Sequence, residues 1–280
     1  MDFQAGEILY INKPYGMTSF GALAYVRTRL SRRLGVKQLK TGHAGTLDPL
    51  ATGVLILCTG KATKRIEELQ YETKEYIATL QLGATTASYD REHTVNRTYP
   101  TRHITRELIA SVLPRFVGDI EQVPPAYSAC NIDGHRAYKM ARRGEEVVLK
   151  AKPLHIDELE MTAFRPETMQ LDIRVVCSKG TYIRALARDI GVALDSGAHL
   201  TALRRTRVGD VRVGDCLTLE QLVEKLDNET YVSPEQAAAE RLERERIENR
   251  ERAARQKAER QARKQQKKCA EPSKRTSQIK

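Results

Sequence analysis

The stretch LDIRVVCSKGTYIRALARDIGVAL, residues 171–194, changes its period halfway along. Leu171, Ile173, Val175 and Cys177 recur every second residue, which places them on one face of a half-buried strand. Beyond Ser178-Lys179-Gly180-Thr181, the residues Ile183, Leu186, Ala187, Ile190 and Leu194 follow the i, i+3, i+4, i+7, i+11 spacing of a core-facing helix. Strand runs directly into amphipathic helix, and the same alternation of signals extends outward. Tyr76, Ala78, Leu80 and Leu82 share one strand face, and ILYI at 8–11 reads as another strand. Ser19 opens a helical pattern through Phe20, Leu23, Val26 and Leu30, and Thr218 with Gln221 forms a capping box. These signals predict an α/β or α+β protein whose mixed, largely antiparallel sheet is flanked by helices.

A chain of 280 residues is long enough to bury a core without disulfides or metals. With 47 Lys and Arg against 36 Asp and Glu, its charge of +11 favours phosphate-rich partners, nucleic acid first. The cysteines at 58, 130, 177, 216 and 269 lack the spacing of zinc sites and point to a reduced, metal-free, cytoplasmic protein. No run of 18 apolar residues and no basic-then-apolar leader is present, so neither secretion nor a membrane span is expected. Composition changes at Ser233. Residues 233–280 hold 15 Lys and Arg and 8 Asp and Glu, with no Gly, Tyr or Phe. They predict a basic, charged helical or disordered tail behind a domain at 1–232, acting as a solvated extension or as an accessory RNA-contacting arm.

Chemistry concentrates in a few segments. In GHAGTLDPLATGVL, 42–55, three glycines and Pro49 interrupt an apolar run, so Asp48 sits on shaped, irregular backbone ahead of a strand. In CSKGTYIR, 177–184, Tyr182 and Arg184 project to one side if the backbone is still extended there, offering an aromatic plane and a permanent cation. Lys74-Glu75-Tyr76, PPAYSA at 124–129 and GAHLTALRR at 197–205 mix aromatic, basic and glycine residues suited to stacking on a base or meeting phosphate. The GxxG match at Gly42–Gly45 and the Gly60-Lys61 pair are too weak for a KH or phosphate loop.

Together and in this order, NKPYGMTSF (12–20), GHAGTLDPLATGVLILCTGKATK (42–64), KEY (74–76), PPAYSA (124–129), KGTYIRALARDIG (179–191) and GAHLTALRRT (197–206) resemble the TruB family of tRNA pseudouridine synthases, over about residues 6–226. The resemblance implies the pseudouridine synthase fold and conversion of the T-loop uridine at tRNA position 55, without cofactor or metal. It implies Asp48 as the essential carboxylate, Tyr76 stacking on the target base, His43 helping to evert nucleotides, Arg184 pairing with the carboxylate, and Tyr182 and Leu203 in the uracil pocket. It further implies tRNA, through its T-arm, as partner, with no membrane, no obligatory protein partner and a monomeric enzyme. Arg184 is expected to keep Asp48 ionised against burial. Two features depart from the pattern: Asn131 stands where many members carry lysine, and only the charged tail follows Leu226 where bacterial members add a compact RNA-binding domain. The competing readings are a non-catalytic tRNA-binding protein and the same chemistry on another RNA. An acidic group facing phosphate gives a pure binder nothing, so Asp48 with Arg184 favours an enzyme.

Overall fold

The computed structural model describes residues 2–132, 134–228 and 234–269. In chain order these form β1 (Ile8–Lys13), α1 (Ser19–Arg33), β2 (Thr41–Ala44), β3 (Ala51–Thr59), α2 (Ile66–Tyr71), β4 (Lys74–Leu82), β5 (Ala84–Thr86) and β6 (Val95–Thr98). There follow α3 (Arg106–Val112), β7 (Gly118–Gln122), β8 (Asn131–Ile132), β9 (His135–Arg136), α4 (Ala137–Arg142), β10 (Lys152–Arg165), β11 (Gln170–Cys177), α5 (Ile183–Ala193), β12 (Ala198–Val208), β13 (Val211–Arg212), α6 (Leu219–Asn228) and α7 (Pro234–Cys269). One body spans Phe3–Glu229, and α7 belongs to a second unit.

Period-two burial builds the sheet of the body. Tyr76, Ala78, Leu80 and Leu82 of β4 are buried, as are Leu171, Ile173, Val175 and Cys177 of β11, and the register pairs Tyr76 with Val175, Ala78 with Ile173 and Leu80 with Leu171. The strands lie in the order β1-β3-β12-β4-β11-β10-β7, with β2 on β3 and β13 on β12, nine in all. Every pairing in this sheet is antiparallel except β12 with β3, so the sheet is mixed and largely antiparallel, as the alternation predicted. Ile183, Leu186, Ala187 and Ile190 of α5, with Leu194 at its end, pack into the same core as β4 and β11. Each Ile or Leu among them contributes roughly 1.5–3 kcal/mol on leaving water. The Thr218 box forms as read: Thr218 N–H donates to Gln221 Oε1 at 2.9 Å and Gln221 N–H to Thr218 Oγ1 at 3.2 Å.

Three local expectations are corrected. The cap of α1 is Thr18, whose Oγ1 accepts from Gly21 N–H at 2.8 Å, while Ser19 turns inward. Phe20 is 61% exposed. The buried stripe is Ser19, Ala22, Leu23, Val26 and Leu30, because stepping back four residues from Leu23 at 3.6 residues per turn lands on Ser19 and leaves Phe20 at the edge. Finally, Gly42 and His43 are strand residues of β2, so the irregular backbone shrinks to about 45–50. In the second unit, α7 is helical as one reading of the tail had it, with Leu242 and Ile247 exposed and Glu243 meeting Arg246 at 3.6 Å. Of the expected tail, Ser233 and residues 270–280 lie outside the described residues. Among the described residues no helix is long and apolar enough to cross a membrane.

The parallel β3–β12 junction depends on glycine. Gly53 pairs with Arg205 at φ +107°, and a Cβ there would stand 2.1 Å from the Arg205 carbonyl oxygen. Gly53→Ala should therefore cost at least about 2 kcal/mol of unfolding free energy in urea titration, whereas Gly214→Ala, which meets open space, should stay within about 0.5 kcal/mol. Equal effects would mean that close approach at the junction is not what Gly53 provides.

Candidate active site

The loop between β2 and β3 is fixed from several directions. Ser19 Oγ donates to the Leu47 carbonyl at 2.9 Å and accepts from Leu47 N–H at 2.8 Å. Gly16 N–H donates to the Pro49 carbonyl at 2.9 Å. Lys13, fully buried, spends its ammonium on carbonyls, Pro14 at 2.9 Å, Met17 at 2.6 Å and Pro49 at 3.4 Å. Burial pushes the Lys13 amine down to about 8, against the pull of Asp48. Arg205, 2% exposed, donates through Nε to the Val54 carbonyl at 2.8 Å and through Nη2 to the Gly45 carbonyl at 3.0 Å, closing the loop at both ends. These bonds fix the backbone on either side of Asp48, so its carboxylate is aimed by the scaffold and not by its own rotamer choice alone.

Opposite the loop stands Arg184, in the first turn of α5 and 5% exposed. Its Nε lies 2.8 Å from Asp48 Oδ2 and 3.6 Å from Asp90 Oδ2. Nη1 donates to the Ser88 carbonyl at 3.2 Å and Nη2 to the Tyr127 carbonyl at 2.9 Å. A planar fork with fixed donors thus joins its own helix to three other segments of chain, two of them bearing carboxylates. Asp90 is itself buried, with Oδ1 accepting from Ser88 Oγ and from Glu92 N–H at 2.9 Å. The Asp48 side chain remains 40% exposed toward a cleft lined by Asp48, Leu50, Ala51, Asp90, Arg91, Arg184 and Leu200–Leu203. Loss of hydration raises the Asp48 pKa above the ordinary carboxylate range, Arg184 draws it back and Asp90 raises it again. Burial is the largest of these influences, Arg184 works against it as expected, and Asp90 adds to the rise.

The remaining sequence candidates fall around this pair. Leu203 lines the cleft. Tyr76 is buried behind it on the same sheet face, since Tyr76 pairs with Arg205 and Ala78 with Leu203; burial raises its phenol pKa and an Arg205 hydrogen bond opposes the rise. His43, on β2 against Leu57, is held below the usual imidazole range by burial and by Arg205, so its ring is neutral near pH 7. Tyr182 caps α5 in extended backbone, but Arg184 is already helical, so the two do not project together as an extended strand would place them. The Tyr182 hydroxyl lies 3.4 Å from Cys130 Sγ. Lys13, Asp90 and Arg205 were not singled out from the sequence, and Ser19 only as a helix opener. Lys13 and Arg205 lay inside quoted motifs, whereas Asp90 sits in TTASYDREH, whose small polar residues signal only a loop.

The chain that brings this carboxylate and buried guanidinium together is similar to pseudouridylate synthases over most of its length. The family model described as "TruB family pseudouridylate synthase (N terminal domain)" matches residues 32–183, and that described as "tRNA pseudouridylate synthase B C-terminal domain" matches residues 184–244. The protein named tRNA pseudouridine synthase B of Bacteroides thetaiotaomicron is 65% identical over 237 residues, covering 84% of this chain and 99% of the relative. Its namesake in Flavobacterium johnsoniae is 47% identical over 226 residues, covering 80% of this chain and 98% of the relative. The chain belongs to the TruB family. Among solved structures, a Cbf5-Nop10-Gar1 complex matches with a TM-score of 0.60 at 29% identity, covering 80% of this chain and 55% of that one. An H/ACA RNP bound to a substrate RNA containing 2'-deoxyuridine matches with a TM-score of 0.58 at 27% identity, covering 81% and 57%. This chain thus spans little over half the length of those two.

Removing one partner from the Arg184 cluster leaves carboxylates without their counter-charge, so Arg184→Met should lower stability by about 3 kcal/mol at neutral pH. The missing cation would raise the Asp48 pKa further, so the deficit is largest where Asp48 is ionised and shrinks as pH falls and it protonates. Thermal unfolding of both proteins from pH 8 down to pH 4 checks this, and a deficit independent of pH would assign the loss to packing alone.

Proposed function

We propose that this chain isomerises uridine to pseudouridine at position 55 in the T-loop of tRNA, with Asp48 as the catalytic carboxylate. The observation that carries the reading is the Asp48–Arg184 contact of 2.8 Å at the floor of a cleft whose other wall is the apolar Leu200–Leu203 strand. Relatives of up to 65% identity bear the name tRNA pseudouridine synthase B, which supports tRNA as the substrate class.

The residue types suit the chemistry. A uridine inside a folded T-loop must leave its stack before the bond from C1′ to N1 can be reached, and that eversion costs a few kcal/mol. Single-stranded loops are recognised by splaying and stacking of this kind. The Tyr76 ring would meet the everted base, Leu203 and Tyr182 would keep its pocket dry, and neutral His43 would hold the nucleotides displaced around it. Asp48 assists cleavage of the C1′–N1 bond, by attack on C1′ or by taking the 2′ proton. Uracil rotates and bonds through C5, which then gives up its proton while N1 gains one. Atoms and oxidation state balance without a co-reactant, so the reaction calls for no cofactor. Arg184 stabilises the ionised carboxylate, and exclusion of water keeps the detached uracil in place.

The domain at 1–232 is read as the catalytic unit and 233–280 as an added arm, in a monomeric cytoplasmic enzyme that needs no obligatory protein partner. Alignment to the Bacteroides relative uses 99% of that protein and 84% of this chain, which supports reading the tail as an addition.

The test is site-resolved pseudouridine detection on unmodified tRNA transcripts, without added metal or nucleotide, using wild type and Asp48→Asn. Product at the T-loop uridine from wild type alone is expected, with Asp48→Asn still binding the RNA; binding without product from either would leave an RNA-binding protein. Deleting 233–280 should make tRNA affinity less sensitive to salt while the single-turnover rate at saturating enzyme is kept, because lost phosphate contacts act through counterion release. An unaltered salt slope would make the tail a bystander.

A further inference from the structure

We propose that the segment from Tyr15 to Lys40 is an RNA-docking surface beside the cleft, offering two aromatic rings to an unpaired base and a run of cations to the phosphates flanking the target uridine. The proposal rests on tRNA as the substrate and adds to it a surface outside the pocket.

Charge is the first observation. Residues 8–47 contain seven Lys and Arg and no Asp or Glu, while the rest of 1–232 contains 25 Lys and Arg against 28 Asp and Glu. The whole positive excess of the body therefore resides in this one segment. Arg29, Arg32, Arg33, Lys37 and Lys40 are exposed and Arg27 is half-buried. Arg33 meets Asp227 at 3.3 Å, an exposed and weak pair. Among the described residues no salt bridge engages Arg27, Arg29, Arg32, Lys37 or Lys40. Among the described residues no carboxylate neutralises their charge.

Aromatic exposure is the second. Tyr15 and Phe20 are each 61% exposed, in a segment whose backbone is tied to both neighbours of Asp48. Gly16, next to Tyr15, bonds Pro49, and Ser19, next to Phe20, bonds Leu47. The Arg27 guanidinium lies 5.7 Å from the Phe20 ring centre and that of Arg29 lies 3.6 Å from the Tyr25 ring. Rings interleaved with guanidinium planes are the surface on which unstacked bases lie. A membrane is a poorer fit, because the apolar face of α1, Ala22, Leu23, Val26 and Leu30, is already buried, and the two exposed rings do not make an apolar helix face to insert.

The test measures equilibrium affinity of the full chain for an unmodified tRNA transcript at two salt concentrations. Three variants are compared: Tyr15→Ala/Phe20→Ala; Arg29→Gln/Arg32→Gln/Lys37→Gln; and Arg102→Gln/Arg106→Gln/Arg115→Gln, which removes equal charge from exposed sites elsewhere. All positions are exposed, and matching melting midpoints check that each variant folds. The aromatic pair should raise Kd at least about tenfold at both salts. The first charge triple should raise Kd and reduce the slope of log affinity against log salt by about 2, with the second triple close to wild type. Unchanged affinity in the first two variants, while wild type still binds and converts tRNA, overturns this surface and gives it to another acidic partner; equal weakening by both triples reduces it to net charge and also overturns it. Failure of wild type to bind tRNA at all would remove the substrate reading itself.

Discussion

Everything at the centre of this protein turns on one guanidinium taken out of water. A buried cation is tolerable only if its donors are satisfied and its charge is met, and Arg184 meets both demands by drawing Asp48, Asp90 and the carbonyls of Ser88 and Tyr127 around a single plane. Those contacts come from segments far apart in sequence. The same interaction that neutralises the cation therefore assembles the cleft. It leaves Asp48 in an uneven position: close to a cation, partly dehydrated, and competing with Asp90 for the positive charge. A carboxylate in that state is a stronger base than one in water, provided the pH keeps it ionised.

The opposing side of the site is rigid for a different reason. Lys13, Ser19 and Arg205 act on backbone carbonyls and amides, Ser19 at Leu47, Arg205 at Gly45 and Val54, and Lys13 at Pro14, Met17 and Pro49, and two of them are charged residues with less than a few per cent of their surface exposed. Burying such groups is unfavourable in itself, so their contribution is geometric: they hold irregular backbone in one conformation where strand hydrogen bonds cannot. The parallel β3–β12 contact, possible only with glycine at 53, brings Leu203 alongside Ala51 and so sets the apolar wall across from the carboxylate.

How much of this was legible in the sequence follows from which forces leave a periodic trace. Strand alternation in β4 and β11 and the helical stripe of α5 are dictated by burial on one face, so both were readable residue by residue. Phe20 misled because apolar character predicts burial only on average, and the helix phase, fixed by Leu23, Val26 and Leu30, pointed to Ser19 instead. Asp48 and Arg184 stood out because proline, glycine and a strand-to-helix junction frame them. Asp90 did not, since its importance arises from a contact with a residue 94 positions away, which no local pattern encodes. The upward direction of the Asp48 pKa escaped for a related reason: it follows first from how deeply the folded chain buries the group and only then from Asp90.

The measurement that bears most directly on this account is the pH dependence of the single-turnover rate on tRNA, compared between wild type and Asp90→Asn. With Asp48 held above the ordinary carboxylate range, the wild-type rate should fall on its acid side at a pH above that range; removing the Asp90 charge should carry this limb to lower pH. An acid limb at the ordinary carboxylate value in wild type, or one that does not move in Asp90→Asn, would contradict the shared-cation description of the site.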